Sequence, residues 1–260
     1  MEMITSRDGS TLAFDQLGGG PPLILVSGAM CDRRSDAVLA DALAADFTVL
    51  NYDRRGRGDS TENGPYAVPR EIEDLAALLD AAGGSAVLVG LSSGGALAAL
   101  AAAALPAVTG LVGWEIPYRT EEAGRRAALD YRRRTDELLA AGRRGDAVEL
   151  FLSTVGVPSA VVAGMMQSPF WADAQQVAPS LAHDAAVLDD GSVPVEALRR
   201  IGCPTLLLTG GASPPLFAAA ATAAVAVLHD GAHRVLDGQR HDVAADVLAA
   251  AVRDFVGSPT

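Results

Sequence analysis

The stretch Gly90-Leu91-Ser92-Ser93-Gly94 constrains this chain more than any other, because of what flanks it. The apolar run Ala86-Val87-Leu88-Val89 leads into it, and an alanine-rich segment of helical character leaves it. A strand that becomes a helix within so few residues needs a strained apex, with glycines on both sides where a Cβ would meet the neighbouring strand and helix. Ser92 stands at that apex. Its hydroxyl is lifted above the sheet and the amide of Ser93 points at the same spot, which predicts a serine nucleophile for acyl transfer.

The rest of the chain supplies a sheet for this turn. Thr11–Asp15 reads as extended, and Pro22–Val26 is a continuous apolar run of the kind buried on both faces. A helix is expected over residues 35–45, a strand over Thr48–Tyr52, a helix over residues 69–82 and a strand over Val108–Trp114. Strands alternating with helices imply crossover connections and a mostly parallel sheet. Between residues 118 and 190 the alternation stops. Helical segments follow one another over residues 121–141, 146–155, 159–167 and 170–188, which reads as a cap inserted between two strands. The alternation then resumes with a strand over Thr205–Thr209, a helix over residues 215–228, a short strand over His233–Leu236 and a helix over residues 242–256. The expected organisation is an α/β core in two segments, residues 1–117 and 191–260, around a helical cap at 118–190.

Composition narrows the class. The 260 residues suffice for one α/β domain with an insertion. No apolar run approaches the roughly 18 residues of a membrane span, and the first residues show no basic segment followed by an apolar stretch, so a cytoplasmic protein is expected. A net charge of −12 argues against nucleic acid and anionic membranes as partners. Two cysteines, Cys31 and Cys203, exclude a disulfide framework, and Cys31 reads as a free loop thiol. All 20 basic residues are arginine, which removes lysine as a base or Schiff-base former; with the heavy alanine usage this fits GC-rich bacterial coding, as in actinomycetes.

Four landmarks in order resemble the α/β-hydrolase superfamily over nearly the whole chain. They are Ser27-Gly28-Ala29-Met30, where a His-Gly oxyanion loop usually stands; Asp53-Arg54-Arg55-Gly56-Arg57-Gly58-Asp59-Ser60, similar to a D-x-R-G-x-G-x-S loop; the Ser92 turn; and Gly238-Gln239-Arg240-His241, similar to a G-x-x-H loop. The resemblance implies the α/β-hydrolase fold, with a mostly parallel sheet flanked by helices, and it implies roles. His241 would be the base for Ser92, with His183, His229 and His233 structural or solvated. The oxyanion hole would use the amides of Ser93 and Ala29, with Met30 as the neighbouring alternative. Asp53 and its arginines would brace the loop, although Arg54 or Arg55 could touch substrate.

The pattern breaks at the acid. The loop Gly210-Gly211-Ala212-Ser213-Pro214-Pro215 carries no carboxylate where relatives commonly place one. Glu115, ending the strand after the elbow helix, is the expected replacement; a Ser-His dyad and a cap carboxylate (Asp184, Asp189 or Asp190) are the alternatives. Tyr118, Phe151, Met165, Met166, Phe170 and Trp171 are expected to give an apolar substrate pocket. The sequence therefore predicts a serine hydrolase of a moderately sized ester, lactone or thioester, with no cofactor or metal, acting as a monomer or homodimer. A lyase or cyclase of natural-product biosynthesis on the same site is the alternative, and a non-enzymatic ligand receptor a third.

Overall fold

The computed structural model describes residues 1–257, with the side chain of Phe170 also outside the described residues. Strands β1 (Glu2–Thr5), β2 (Thr11–Leu17), β3 (Pro22–Val26), β4 (Thr48–Tyr52), β5 (Ala86–Leu91), β6 (Val108–Trp114), β7 (Thr205–Gly210) and β8 (Gly231–Leu236) form one sheet in the order β1-β2-β4-β3-β5-β6-β7-β8. The pairings β1 with β2 and β2 with β4 are antiparallel, and the others are parallel. The continuous apolar runs lie at the centre: Leu23, Ile24, Leu25 and Val26 are wholly buried, as a parallel strand covered on both faces requires.

Each face of the sheet has its own core. On one, α2 (Val68–Ala81), α3 (Ser93–Ala104) and α10 (Pro215–Val225) bury Leu75, Leu78, Leu97 and Ala220 against Ile24, Leu50 and Leu88. On the other, α1 (Ala37–Leu43) and α11 (Ala245–Gly257) cover Leu25, Val49 and Val112 with Leu39, Leu43, Leu248 and Val252. Burying each such side chain contributes about 1.5–3 kcal/mol. The helix α3, which starts at the Ser92 turn, is apolar around nearly its whole circumference and almost fully buried. Its small side chains let it lie close to the sheet, which holds the turn firmly.

Between β6 and β7 the insertion is formed by α4 (Glu122–Ala140), α5 (Arg144–Thr154), α6 (Ser159–Met165), α7 (Phe170–Val177) and α8 (Ser180–Leu188). The single helix expected over residues 170–188 is two. Pro179 has no amide to donate, and its ring obstructs a continuous helix, so the chain restarts at Ser180. A small core of Val148, Ala174 and Ala178 holds part of the insertion together, with Met30 and Trp171 packed against it. The helix α8 goes deeper. It buries Leu181, His183, Asp184, Ala185 and Val187, and Val187 joins the core beside α3. Two elements lie outside the sequence expectation: the exposed edge strand β1 and the one-turn helix α9 (Val195–Leu198).

Candidate active site

The sheet register brings the site together. Leu91 pairs with Trp114 across β5 and β6, and the amide of Ser92 donates to the Trp114 carbonyl at 2.8 Å, so Ser92 and Glu115 sit at neighbouring strand ends. Ser92 has φ 53° and ψ −121°. The glycines of the turn are needed on both sides. A Cβ on Gly90 would lie 2.5 Å from the Gly95 Cα, and one on Gly94 would lie 2.2 Å from the Val26 carbonyl oxygen. Met30 (φ 62°) and Glu115 (φ 43°) also hold positive φ; Asp189 (φ 53°) is the one other such non-glycine among the described residues. Each such conformation costs on the order of 1–3 kcal/mol and persists because the surroundings impose it.

Three amides of the turn and of the loop after β3 spend no hydrogen bond elsewhere among the described residues, which suits the oxyanion role that the resemblance implies. The N–H groups of Ala29, Met30 and Ser93 donate to no group among the described residues. The loop carrying the first two is braced through its carbonyls. Arg57 Nη1 donates to the Gly28 oxygen at 2.6 Å and to the Cys31 oxygen at 3.2 Å, and Arg54 Nη1 donates to the Ser27 oxygen at 3.3 Å. A trans peptide points its carbonyl and the next amide in opposite directions. Anchoring the Gly28 carbonyl on Arg57 therefore turns the Ala29 amide away from that guanidinium. The wholly buried Ser27 has its hydroxyl beside the Asp36 carboxyl, and that hydroxyl makes no hydrogen bond to the arginines that brace the loop.

At the end of β6, the Nδ1–H of His241 donates to Glu115 Oε2 at 2.7 Å. The Glu115 side chain is completely buried, while that of His241 is 52% exposed. The second carboxylate oxygen, Oε1, accepts from the Gly210 amide at 2.9 Å. Burial pushes the Glu115 carboxyl up, but the hydrogen bonds from His241 and Gly210 outweigh it and hold the group below its ordinary value. The loop after β7 thus supplies an amide to the acid instead of an acid of its own. Two further contacts steady the histidine: Trp114 Nε1 donates to the His241 carbonyl at 3.0 Å, and the Phe217 ring stacks on the imidazole with centroids 5.3 Å apart. With Nδ1 carrying the proton, Nε2 is free to accept one. Among the described residues no hydrogen bond joins Ser92 to His241, contrary to the sequence expectation.

The other candidates fall elsewhere. His183 is buried and stacked on Tyr66, His233 Nε2 lies 2.8 Å from the Thr209 hydroxyl, and His229 is exposed. Asp189 pairs with Arg132, Asp190 caps the Ser192 amide, and Asp184 is buried among Arg54, Arg57 and Ser93, so none of the three contacts His241. Arg54 and Arg55 are wholly buried and cannot reach substrate. Asp53 accepts from the Arg33 guanidinium and from the Arg33 and Asp59 amides, a bracing role. Burial pushes the Cys31 thiol up to about 11, which leaves it inert. Among the expected pocket residues, Tyr118 is 3% exposed and lies in the core; Phe151, Met165, Met166 and Trp171 are half-buried in the insertion, and the side chain of Phe170 lies outside the described residues. Sequence reasoning missed Trp114 and Phe217 as supports of the histidine; a lone aromatic two residues after Pro215 in an alanine-rich helix is the signal for the second. Among the described residues, no group of three or more His, Cys, Asp or Glu could hold a metal ion, and no helix is long and apolar enough to cross a membrane.

Known proteins share this fold. A structure of an α/β hydrolase from Sphaerobacter thermophilus is 44% identical, covers 98% of this chain and 100% of its own, and superposes with a TM-score of 0.88. The enol-lactonase of Burkholderia xenovorans is 22% identical over 99% of this chain and 100% of its own, with a TM-score of 0.69, a likeness of fold alone. The pimeloyl-(acyl-carrier protein) methyl ester esterase of Stenotrophomonas maltophilia is 32% identical over 149 residues, 52% of this chain and 56% of that protein, so the match spans about half of the relative's length. A family model described as the alpha/beta hydrolase family matches residues 23–247. With its eight-stranded sheet, its Ser92 turn and a match over most of its length, the chain belongs to the alpha/beta hydrolase family and is a hydrolase-fold enzyme.

Proposed function

We propose that the chain is a serine hydrolase that cleaves an ester, lactone or thioester of a moderately sized apolar molecule through an acyl-enzyme on Ser92. The observation that carries this reading is the bond from His241 Nδ1–H to the buried Glu115 carboxylate, which leaves Nε2 as a proton acceptor beside the Ser92 turn. In the reaction the Ser92 oxygen attacks the acyl carbon and its proton passes to Nε2. Negative charge on the former carbonyl oxygen is taken by the Ser93 amide and by Ala29 or Met30. The imidazolium, stabilised by Glu115, returns the proton to the leaving alcohol or thiol. Water, deprotonated by the same nitrogen, then releases the acid. Similarity to a methyl ester esterase supports acyl–oxygen cleavage, and the half-buried Met165, Met166 and Trp171 in the insertion support an apolar substrate.

Ser92→Ala is the direct test. It is expected to reduce hydrolysis of p-nitrophenyl butyrate by at least about 10³-fold, with an unchanged circular dichroism spectrum. It should also abolish labelling by a fluorophosphonate. Activity within tenfold of the parent would remove Ser92 from the mechanism.

A further inference from the structure

Resting on the acyl-enzyme reading, we propose that Asp184 is a positioning residue that holds both halves of the oxyanion hole from the inserted helix α8. One carboxylate reaches each half. Its Oδ1 accepts from the Ser93 hydroxyl at 2.8 Å, from Arg54 Nη1 at 2.7 Å and from Arg57 Nη2 at 2.9 Å, and its Oδ2 accepts from Arg57 Nη2 at 2.9 Å. Ser93 supplies the first amide of the hole. Arg57 and Arg54 hold the carbonyls of Gly28, Cys31 and Ser27, whose loop supplies the second.

The cluster is closed to water. Asp184 is 4% exposed, Arg57 2%, and Arg54 not at all. Arg54 makes a second, two-pronged contact to Glu71, with Nε to Oε1 at 2.9 Å and Nη2 to Oε2 at 2.8 Å. Two guanidinium groups and two carboxylates therefore balance in charge. Buried ion clusters of this kind add little stability over an apolar packing of the same volume, and their best-attested use is to fix geometry. Here the geometry fixed is the separation between the start of α3 and the loop after β3, two segments that meet across the site. Because Asp184 belongs to the insertion, the hole is complete when α8 is seated on α3.

Charge and position make opposite predictions. An ionised Asp184 near a developing oxyanion repels it, so removal of that charge, by electrostatics alone, would speed the reaction. Loss of the tether between Ser93 and the arginines would slow it. Asp184→Asn keeps the shape and removes the charge, while Ser93→Ala removes one bond and keeps the backbone amide. Both are assayed with p-nitrophenyl butyrate and with phenylboronic acid, which adds to the serine oxygen as a tetrahedral boronate while the serine proton passes to His241.

For Asp184→Asn, kcat is expected to fall about 10–100-fold with KM within about threefold, and boronate affinity to weaken by the same factor. Ser93→Ala is expected to fall in the same way by about threefold to tenfold, and the double variant to lose no more than Asp184→Asn. In 1H–15N spectra the Ala29 and Ser93 amide resonances should both move in Asp184→Asn, a readout that needs no turnover. Turnover of Asp184→Asn equal to or above the parent overturns the proposal. So does Ser93→Ala with parental kcat and boronate affinity, which also decides the matter if Asp184→Asn fails to fold. Wild-type protein that takes no fluorophosphonate at Ser92 refutes the acyl-enzyme reading instead, and the two amide resonances still report on the tether.

Discussion

The loop carrying Ala29 and Met30 is itself half-buried, and it is held by two guanidinium groups that are almost closed to water. His241 is half exposed and is held through one ring nitrogen, its carbonyl and a stacked ring. On the proposed mechanism the difference matches the two tasks. Donors to an oxyanion act best when they need not move, because preorganised dipoles stabilise charge without reorganising. A base that takes a proton from one oxygen and delivers it to another must swing between them. The rigid side is built from buried ions and the mobile side from a few directional contacts.

The largest expected effect breaks the mobile side. Glu115→Gln keeps size and burial but cannot stabilise an imidazolium, and its amide group can turn an N–H toward Nδ1 and select the wrong tautomer. Turnover on p-nitrophenyl butyrate should drop about 10³-fold with little change in KM. A drop below tenfold would mean that a Ser-His dyad suffices.

Acid should break the rigid side next. Burial, with the charges of Arg57 and Arg54 added, pushes the His183 imidazole down to about 4, against the pull of Glu71 and Asp184. Glu62 lies 3.4 Å away without making a hydrogen bond. Between pH about 6.5 and 4 the unfolded chain binds a proton at His183 that the folded chain refuses, so stability falls as pH drops through that window. Glu71 and Asp184 are raised by burial, yet Arg54 and Arg57 hold both below their ordinary values. Their contribution is present above about pH 4 and is lost as pH falls further. Urea midpoints measured between pH 7 and 4 should show a loss of about 2 kcal/mol, with His183→Gln flattening its upper part. A level profile for the parent over that range would contradict the burial of neutral His183.

The smallest effect sharpens the contrast. Phe217→Ala removes the stacked ring, and a stack of this kind is worth about 0.5–1.5 kcal/mol. We expect kcat to fall about threefold with KM and thermal stability nearly unchanged. A larger loss would mean that the histidine depends on the ring for its orientation.

The sheet was legible because its central strands are rich in apolar residues, uninterrupted in Pro22–Val26; Thr48–Tyr52 and Val108–Trp114 also have the same ends in sequence and structure. The edge strand β1 was not, since Met3 is 48% exposed and a solvated edge leaves no apolar pattern. Pro179 was a legible signal that the sequence reading passed over. At the site, the motifs pointed to Ser92 and His241, and the acid-free loop after β7 directed attention to Glu115. The partner of Arg57 was out of reach. Asp184 lies 127 residues away, and nothing local in Ser180–Leu188 marks its single acid as the partner of two arginines.

Positive φ at Ser92 has a consequence for any search that sorts variants by heat resistance. A glycine at that position adopts the same backbone without the steric cost, so Ser92→Gly is among the substitutions such a search rewards while hydrolysis disappears. Met30→Gly offers the same relief in the oxyanion loop, together with the loss of a side chain that packs on the insertion. On the acyl-enzyme reading, a lineage released from selection for hydrolysis has a downhill path away from serine, and drift at this turn would be an early sign that a copy of the gene has ceased to act as an enzyme.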